Sequence, residues 1–440
     1  MTKPLLLITL CLMPFFCMAQ EQEEIKKGYN VGALPVVSYD HDLGFQYGFL
    51  ANIYNYGDGQ DYPQYHHSLY MEYSRFTKGS SIYRLYYDSE YLIPKIRLTA
   101  DLSYIPNEAE NFFGYNGYES RYHPEWEDQE SSAYKSKMFY RFKNDFFRFK
   151  VDFQGKFAQS HWGWIAGWNM QKISSDLVDI DKLNKGKSAD ELIPSHDDQP
   201  GLFQKYQEWG IISDEEASGG WIPLLTAGIT YDSRDQLACP MSGMWFESLI
   251  SQALPFENQP TYTIGSMIFR HYITIVPKNI NFSYRLALQS KIGGDIPFYA
   301  KNQMITSVLT GASSYALGGG SSLRGVLRNR VVGDGFGLAN IEMRFKVVRW
   351  QMLNQNFYLG LVPFVDGGMI INPVDFDKSQ ISDEDLALHF GDQNESLHLS
   401  MGVGTMVAMN DNFIISIDYG KALNLQDGNN AVYIGLNYMF

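Results

Sequence analysis

Leu338-Ala339-Asn340-Ile341-Glu342-Met343-Arg344-Phe345-Lys346-Val347-Val348 decides the fold class of this chain. Ala339, Ile341, Met343, Phe345 and Val347 are apolar and alternate with Asn340, Glu342, Arg344 and Lys346. Successive side chains of a strand point to opposite faces, so a period of two marks a strand with one apolar and one polar face. A soluble β-sandwich alternates too. Here, however, the polar face carries Glu342, Arg344 and Lys346, which suits a water-filled lumen, while the apolar face suits lipid. Ile280 to Lys291 repeats the pattern, with Ile280, Phe282, Tyr284, Leu286 and Leu288 against Asn281, Ser283, Arg285, Gln289 and Lys291. Leu397 to Val407 and Phe413 to Tyr419 do the same.

Working outward, the same period predicts strands near 33–39, 44–55, 65–76, 81–93, 95–106, 135–158, 161–172, 222–234, 244–254, 261–275, 280–292, 338–350, 356–371, 396–409, 412–423 and 430–440. In 135–158 the apolar phase runs through Met138, Tyr140 and Phe142, then flips to Phe147, Phe149, Val151 and Phe153. Either a tight turn or a β-bulge at Asn144-Asp145 produces such a flip. Single-chain bacterial barrels have even strand numbers, so the bulge is preferred. Some connections are short, such as Pro277-Lys278-Asn279 and Asn410-Asp411-Asn412; others, about 107–134, 173–221, 293–337 and 372–395, are long. Short periplasmic turns and long outer loops complete the expectation: an all-β, 16-stranded antiparallel transmembrane β-barrel. The acidic loop 173–221 contains one helical stretch, Leu202 to Trp209.

The 440 residues begin with Lys3 and an apolar run from Leu5 to Phe16. Cys17 and Ala19 then provide small residues for signal-peptide cleavage before Gln20. That run is too short for a membrane helix, which needs about 20 residues. The expected organisation is a signal peptide over 1–19, a short periplasmic segment over 20–30 and a barrel over 31–440. Cys239 is the sole cysteine beyond the signal, so no internal disulfide forms. Tyr and Phe number 30 and 28, as aromatic girdles require, and the net charge of −14 opposes nucleic-acid binding.

Three motifs resemble the BamA/TamA-type surface-antigen superfamily of outer-membrane assembly factors. Gly318-Gly319-Gly320-Ser321-Ser322-Leu323-Arg324-Gly325-Val326 resembles that family's Gly-Gly followed by Val-Arg-Gly-Phe in the sixth outer loop; Leu323 and Val326 depart from it, and the Arg-Gly pair is kept. Phe364-Val365-Asp366-Gly367-Gly368 matches its Phe-x-Asp-x-Gly strand. Tyr231-Asp232-Ser233-Arg234-Asp235, followed by Pro240 and Gly243, resembles the strand and turn that open its C-terminal half. The resemblance is strong over about 222–440 and weaker before it. It implies a bacterial outer-membrane protein that assists protein insertion or translocation. Outer-membrane lipids, unfolded client proteins and periplasmic or lipoprotein subunits are the implied partners. Family assembly factors carry POTRA domains, for which the short segment before the first strand leaves no room.

The resemblance also implies that Arg324, followed by Gly325, enters the lumen and pairs with acids. Periodicity independently places Glu342 and Asp366 on lumenal faces, and a guanidinium fork suits two-point pairing with carboxylates. Ordinary hydrated lumen charges are the alternative. Gly318-Gly319-Gly320 lacks the Lys-Ser/Thr ending of a phosphate loop, and Ser321 lacks a nucleophile elbow. His66-His67 and His196-Asp197-Asp198 lack metal-ligand spacing. No catalytic, cofactor or metal site is expected. The ending Tyr433 to Phe440, with Gly435, Tyr438 and Phe440, looks like a terminal-strand signal for outer-membrane assembly. A closed barrel pairs this strand with 33–39. Pro35 donates no N–H, and Gly435 packs nothing across the joint, so the seam is weakened and could open laterally. Alternatively, Pro35 precedes true pairing and Gly435 only relieves crowding. A channel or a surface protein presenting acidic loops remains the competing function.

Overall fold

A computed structural model describes residues 26–61, 64–158, 160–236, 239–303, 307, 316–352, 355–391, 393–409, 413–436 and 438–440. The expected signal peptide, 1–19, lies outside the described residues.

Alternation of outward apolar and inward polar side chains yields sixteen strands: β1 (Tyr29–Asp40), β2 (Gly44–Asn55), β3 (His67–Phe76), β4 (Ser81–Ile93), β5 (Ile96–Asn111), β6 (Arg141–Lys156), β7 (Trp162–Asp176), β8 (Gly219–Asp232), β9 (Gly243–Ala253), β10 (Tyr262–Val276), β11 (Ile280–Gly294), β12 (Gly335–Met352), β13 (Gln355–Asn372), β14 (His398–Met409), β15 (Phe413–Ala422) and β16 (Asn430–Leu436). Each pairs antiparallel with its neighbours, and β1 meets β16 to close the barrel. On β12, Asn340, Glu342 and Arg344 are buried inside while Ile341 and Val347 are exposed outside, as the period of two requires. The outward residues form an exposed belt that includes Leu286, Leu288, Ile341, Val365, Val403 and Ile417. No described helix is long and apolar enough to cross a membrane.

The long connections 112–140, 177–218, 295–334 and 373–397 gather at one barrel end. The stretch Leu202–Glu208 is helical, as its sequence suggests.

The 135–158 segment requires a correction. It is one strand, but it starts at Arg141 and contains no bulge: β6 runs in unbroken register with β7 from Lys143 to Lys156. The register shift at this level lies on the other neighbour, between Asn107 and Glu110 of β5. Even-numbered β6 residues face inward throughout, from Phe142 and Phe146 to Arg148 and Asp152. The apolar phase flips because the interior itself changes. Near the loop end the barrel is filled by an apolar core containing Phe112, Phe142, Phe146, Phe203, Phe298 and Phe336. Inward residues are therefore apolar there and polar further down.

Candidate functional site

Loop 295–334 is the sixth at its end, and its described residues 316–334 lie inside the barrel and deliver Arg324 to the inner wall. Its guanidinium reaches Asp366 of β13 through Nε (2.9 Å) and Nη2 (3.0 Å), and its backbone N–H adds a third contact to the same carboxylate at 3.1 Å. Nη1 lies 2.9 Å from Glu342 of β12 and 3.6 Å from Asp418 of β15. The guanidinium plane rests 3.4 Å over the Phe364 ring. Arg324 is only 1% exposed, and Glu342 and Asp366 are fully buried. The structure thus brings Arg324, Glu342 and Asp366 together in a buried site, rather than leaving them as separate exposed charges. Gly325 permits this approach: its φ is +98°, and a Cβ would sit 2.6 Å from backbone atoms of Gly420 and Lys421. Arg344 extends the network: its Nε donates to Glu342 at 2.8 Å, and its Nη2 lies 2.8 Å from the same carboxylate oxygen. Asp418 was legible from its parity with Ser416, since Ile415, Ile417 and Tyr419 face out.

A second ionic centre, unmarked by any motif, joins the loops above the latch. Arg330 of the same loop is fully buried and donates to the carbonyls of Gln426 (2.6 Å), Gly117 (2.9 Å) and Ser120 (2.8 Å). Asp427 accepts from the Tyr118 hydroxyl at 2.6 Å and contacts His398 Nδ1 at 2.6 Å, while His398 Nε2 lies 3.2 Å from Glu395. These contacts tie loops 112–140, 373–397 and 423–429 to loop 295–334. Around them, Trp126, Phe139, Trp209 and Phe390 pack into an aromatic dome. The dome encloses His389, whose ring nitrogens have no hydrogen-bond partner among the described residues. Burial, and then Lys205, Lys135 and His123, push its pKa down to about 3, against the opposing pull of Asp385. Below about pH 6.5 the unfolded chain takes up a proton that the folded dome refuses. Dome stability from this group is therefore fully present above that pH and falls as the pH drops towards about 3. Limited proteolysis of 373–397 should accelerate across that window, and His389→Phe should flatten the response; equal acid sensitivity in the variant would remove His389 as the cause.

The seam differs most from expectation. Among the described residues, β1 and β16 pair only through Tyr39–Ile434 and Asp40–Tyr433, not along 33–39 and 432–440. The terminal strand stops at Leu436 instead of reaching Phe440. Residues 438–440 leave the sheet and enter the barrel, where Phe440 is buried. The physical reason is a better set of partners inside. Arg344 Nη2 donates to a main-chain carboxylate oxygen of Phe440 at 2.8 Å, the guanidinium lies 4.0 Å over the Tyr438 ring, and the Tyr438 and Tyr358 hydroxyls meet at 3.1 Å. Pro35 sits within β1 opposite Phe49 of β2, but on the seam side it lies before the first paired residue, Tyr39. Gly435 is not relieving crowding: a Cβ there would meet only Ser416 Oγ, at 3.9 Å. Cys239, in the β8–β9 turn, is buried 3.5 Å from the Tyr358 hydroxyl, beside this tail rather than remote from it. Loop six also reaches the zipped rungs: Arg328 lies 3.8 Å from Asp40, and the Gly325 N–H donates to the Tyr433 hydroxyl at 3.3 Å.

Among the described residues, no group of His, Cys, Asp and Glu is arranged to hold a metal ion.

Comparisons with known proteins agree with this geometry. A BamA barrel from Haemophilus ducreyi lacking POTRA domains 1–3 superposes with a TM-score of 0.55 at 14% identity, covering 94% of this chain and 71% of that one. CdiB from Escherichia coli superposes with a TM-score of 0.54 at 10% identity; the match covers 94% of this chain but only 63% of CdiB. At these identities the likeness speaks for the fold alone. No curated protein matches the chain. The Omp85 superfamily domain matches residues 73–440, most of the sequence, so this chain belongs to the Omp85 superfamily and is an outer-membrane β-barrel of that superfamily.

Proposed function

We propose that this barrel assists the insertion or translocation of unfolded outer-membrane proteins through the β1–β16 seam, together with periplasmic or lipoprotein subunits. The observation that carries the reading is the two-pair joint, which leaves residues 29–38 of β1 without a strand partner on that side among the described residues. In hydrocarbon no water satisfies backbone groups, and each unpaired one costs several kcal/mol. An open edge there favours any strand that can pair with it. The aromatic dome and the inserted sixth loop fill the other end of the lumen, which supports a sideways route over straight conduction. In this reading Arg324, Gly325, Glu342 and Asp366 hold loop six in place, and Pro35 and Gly435 keep the seam weak. Gly435, Tyr438 and Phe440 serve as the terminal signal before folding, while the tail is still extended.

A covalent lock tests it. Continuing the Tyr39–Ile434 register places Val37 opposite Leu436. Val37→Cys and Leu436→Cys, in a Cys239→Ala background because Cys239 lies beside the tail, should form a disulfide on oxidation. The phenotype of a deletion strain should then reappear and be reversed by reductant. A locked barrel with full function would overturn lateral gating and promote the channel or surface-protein reading.

A further inference from the structure

β1 breaks the rule that the other walls follow. A membrane strand is apolar towards lipid and polar towards the lumen. A strand that is apolar on both faces is ordinarily covered on both. From Val31 to Val37, β1 reads Val-Gly-Ala-Leu-Pro-Val-Val, without a polar side chain on either face. Parity with Ser38, whose hydroxyl meets Gln46 inside the barrel, places Leu34 and Val36 on the inner wall. Leu50 of β2 lies opposite Leu34, and Leu34 is 50% exposed. Beside these residues the sheet is open, because among the described residues β1 meets β16 only at Tyr39 and Asp40. Apolar surface therefore continues from Val31 and Val37 on the lipid side, around a free strand edge, onto Leu34 and Val36 inside. At the end of β1 away from the long loops, Lys26, Lys27 and Tyr29 are exposed. Cations and an aromatic ring at that level suit a phosphate headgroup.

We propose that an anionic phospholipid of the periplasmic leaflet occupies this edge, with its phosphate at Lys26 and Lys27 and an acyl chain passing inward over Leu34, Val36 and Leu50. Its phosphate and ester oxygens accept from free N–H groups near Tyr29, and its chain covers aliphatic surface that a water-filled lumen would leave wet. The reach is suitable: Leu34 lies five residues beyond Tyr29, about 17 Å along the strand, against about 15 Å for half a bilayer core. Residues 20–25, Gln-Glu-Gln-Glu-Glu-Ile, are too acidic to match the same surface. The inference does not rest on the proposed function, since the lipid fills the edge whether or not a client strand displaces it.

The test places the full-length protein in mixed vesicles of phosphatidylcholine and phosphatidylglycerol. Bimane is attached to single cysteines in a Cys239→Ala background, at Leu34→Cys, at outward Ile250→Cys on β9 and at Gln154→Cys on the inner face of β6. Brominated acyl chains should quench Leu34→Cys nearly as strongly as Ile250→Cys, and aqueous iodide should reach neither. Gln154→Cys should show the reverse. Val36→Cys repeats the reading if Leu34→Cys fails to insert. With bromine on phosphatidylglycerol alone, Lys26→Gln and Lys27→Gln should each lower the lipid preference at Leu34→Cys about fivefold, the worth of one basic residue at an anionic surface, and leave Ile250→Cys unchanged. Iodide quenching at Leu34→Cys without lipid quenching would show water there, and protection from both quenchers would show a polypeptide; either overturns the proposal. Lipid quenching that ignores both lysines would overturn the headgroup assignment. A seam-locked barrel that keeps full cellular function would remove the insertion reading and leave these quenching results intact.

Discussion

Arg324→Ala should lower the stability of this barrel by about 3–5 kcal/mol, the cost of removing one partner from a buried ion pair. Hydrated lumen charges would be worth only about 0–1 kcal/mol. The larger figure applies because Arg324 is 1% exposed and faces two fully buried carboxylates, Glu342 and Asp366. Arg344 still balances Glu342 in the variant, but among the described residues Asp366 would keep only Asn340 Nδ2, at 2.8 Å, as a side-chain hydrogen-bond partner. Urea unfolding in detergent reads the loss, and protease sensitivity of residues 295–334 reads the freed loop. Arg324→Ala combined with Asp366→Asn should cost less than the sum of the two single changes, since both break one network. An Arg324→Ala barrel with native urea midpoint and an intact loop would mean that the pairing stabilises nothing.

Arg330→Met should open the dome. The guanidinium satisfies three backbone carbonyls from two other loops, those of Gln426, Gly117 and Ser120. An orphaned buried acceptor costs about 1–3 kcal/mol, so a total above about 3 kcal/mol is expected. Asp427 also loses its nearby cation, 4.0 Å away, and keeps Tyr118 and His398. Loops 112–140 and 423–429 should become protease-sensitive together, and planar-bilayer conductance should rise as the dome loosens. Unchanged cleavage at both loops would show that the aromatic packing alone closes the barrel.

What the sequence determined by itself was whatever repeats locally. A two-residue period is a property of adjacent side chains, so the strands, the lipid-facing belt and the lumenal placement of Glu342 and Asp366 could be read from it, whereas the number sixteen also needed the rule that such barrels have even strand counts. Arg324 lies in an aperiodic loop and was found only through its resemblance to a family motif. The remaining features depend on contacts that no local period encodes. Phe142 and Phe146 face inward beside Asn144 because loops from elsewhere in the chain turn that end of the lumen into an apolar core. Arg330 meets carbonyls of Gly117 and Gln426 that lie far from it in sequence. The tail, although its sequence continues a strand pattern to Phe440, turns inward because Arg344 on β12 offers a guanidinium there that the β1 edge, with Pro35, cannot match. Local alternation states which face a residue prefers; only the assembled barrel decides whether that face meets water, aromatic rings, a distant charge or another strand.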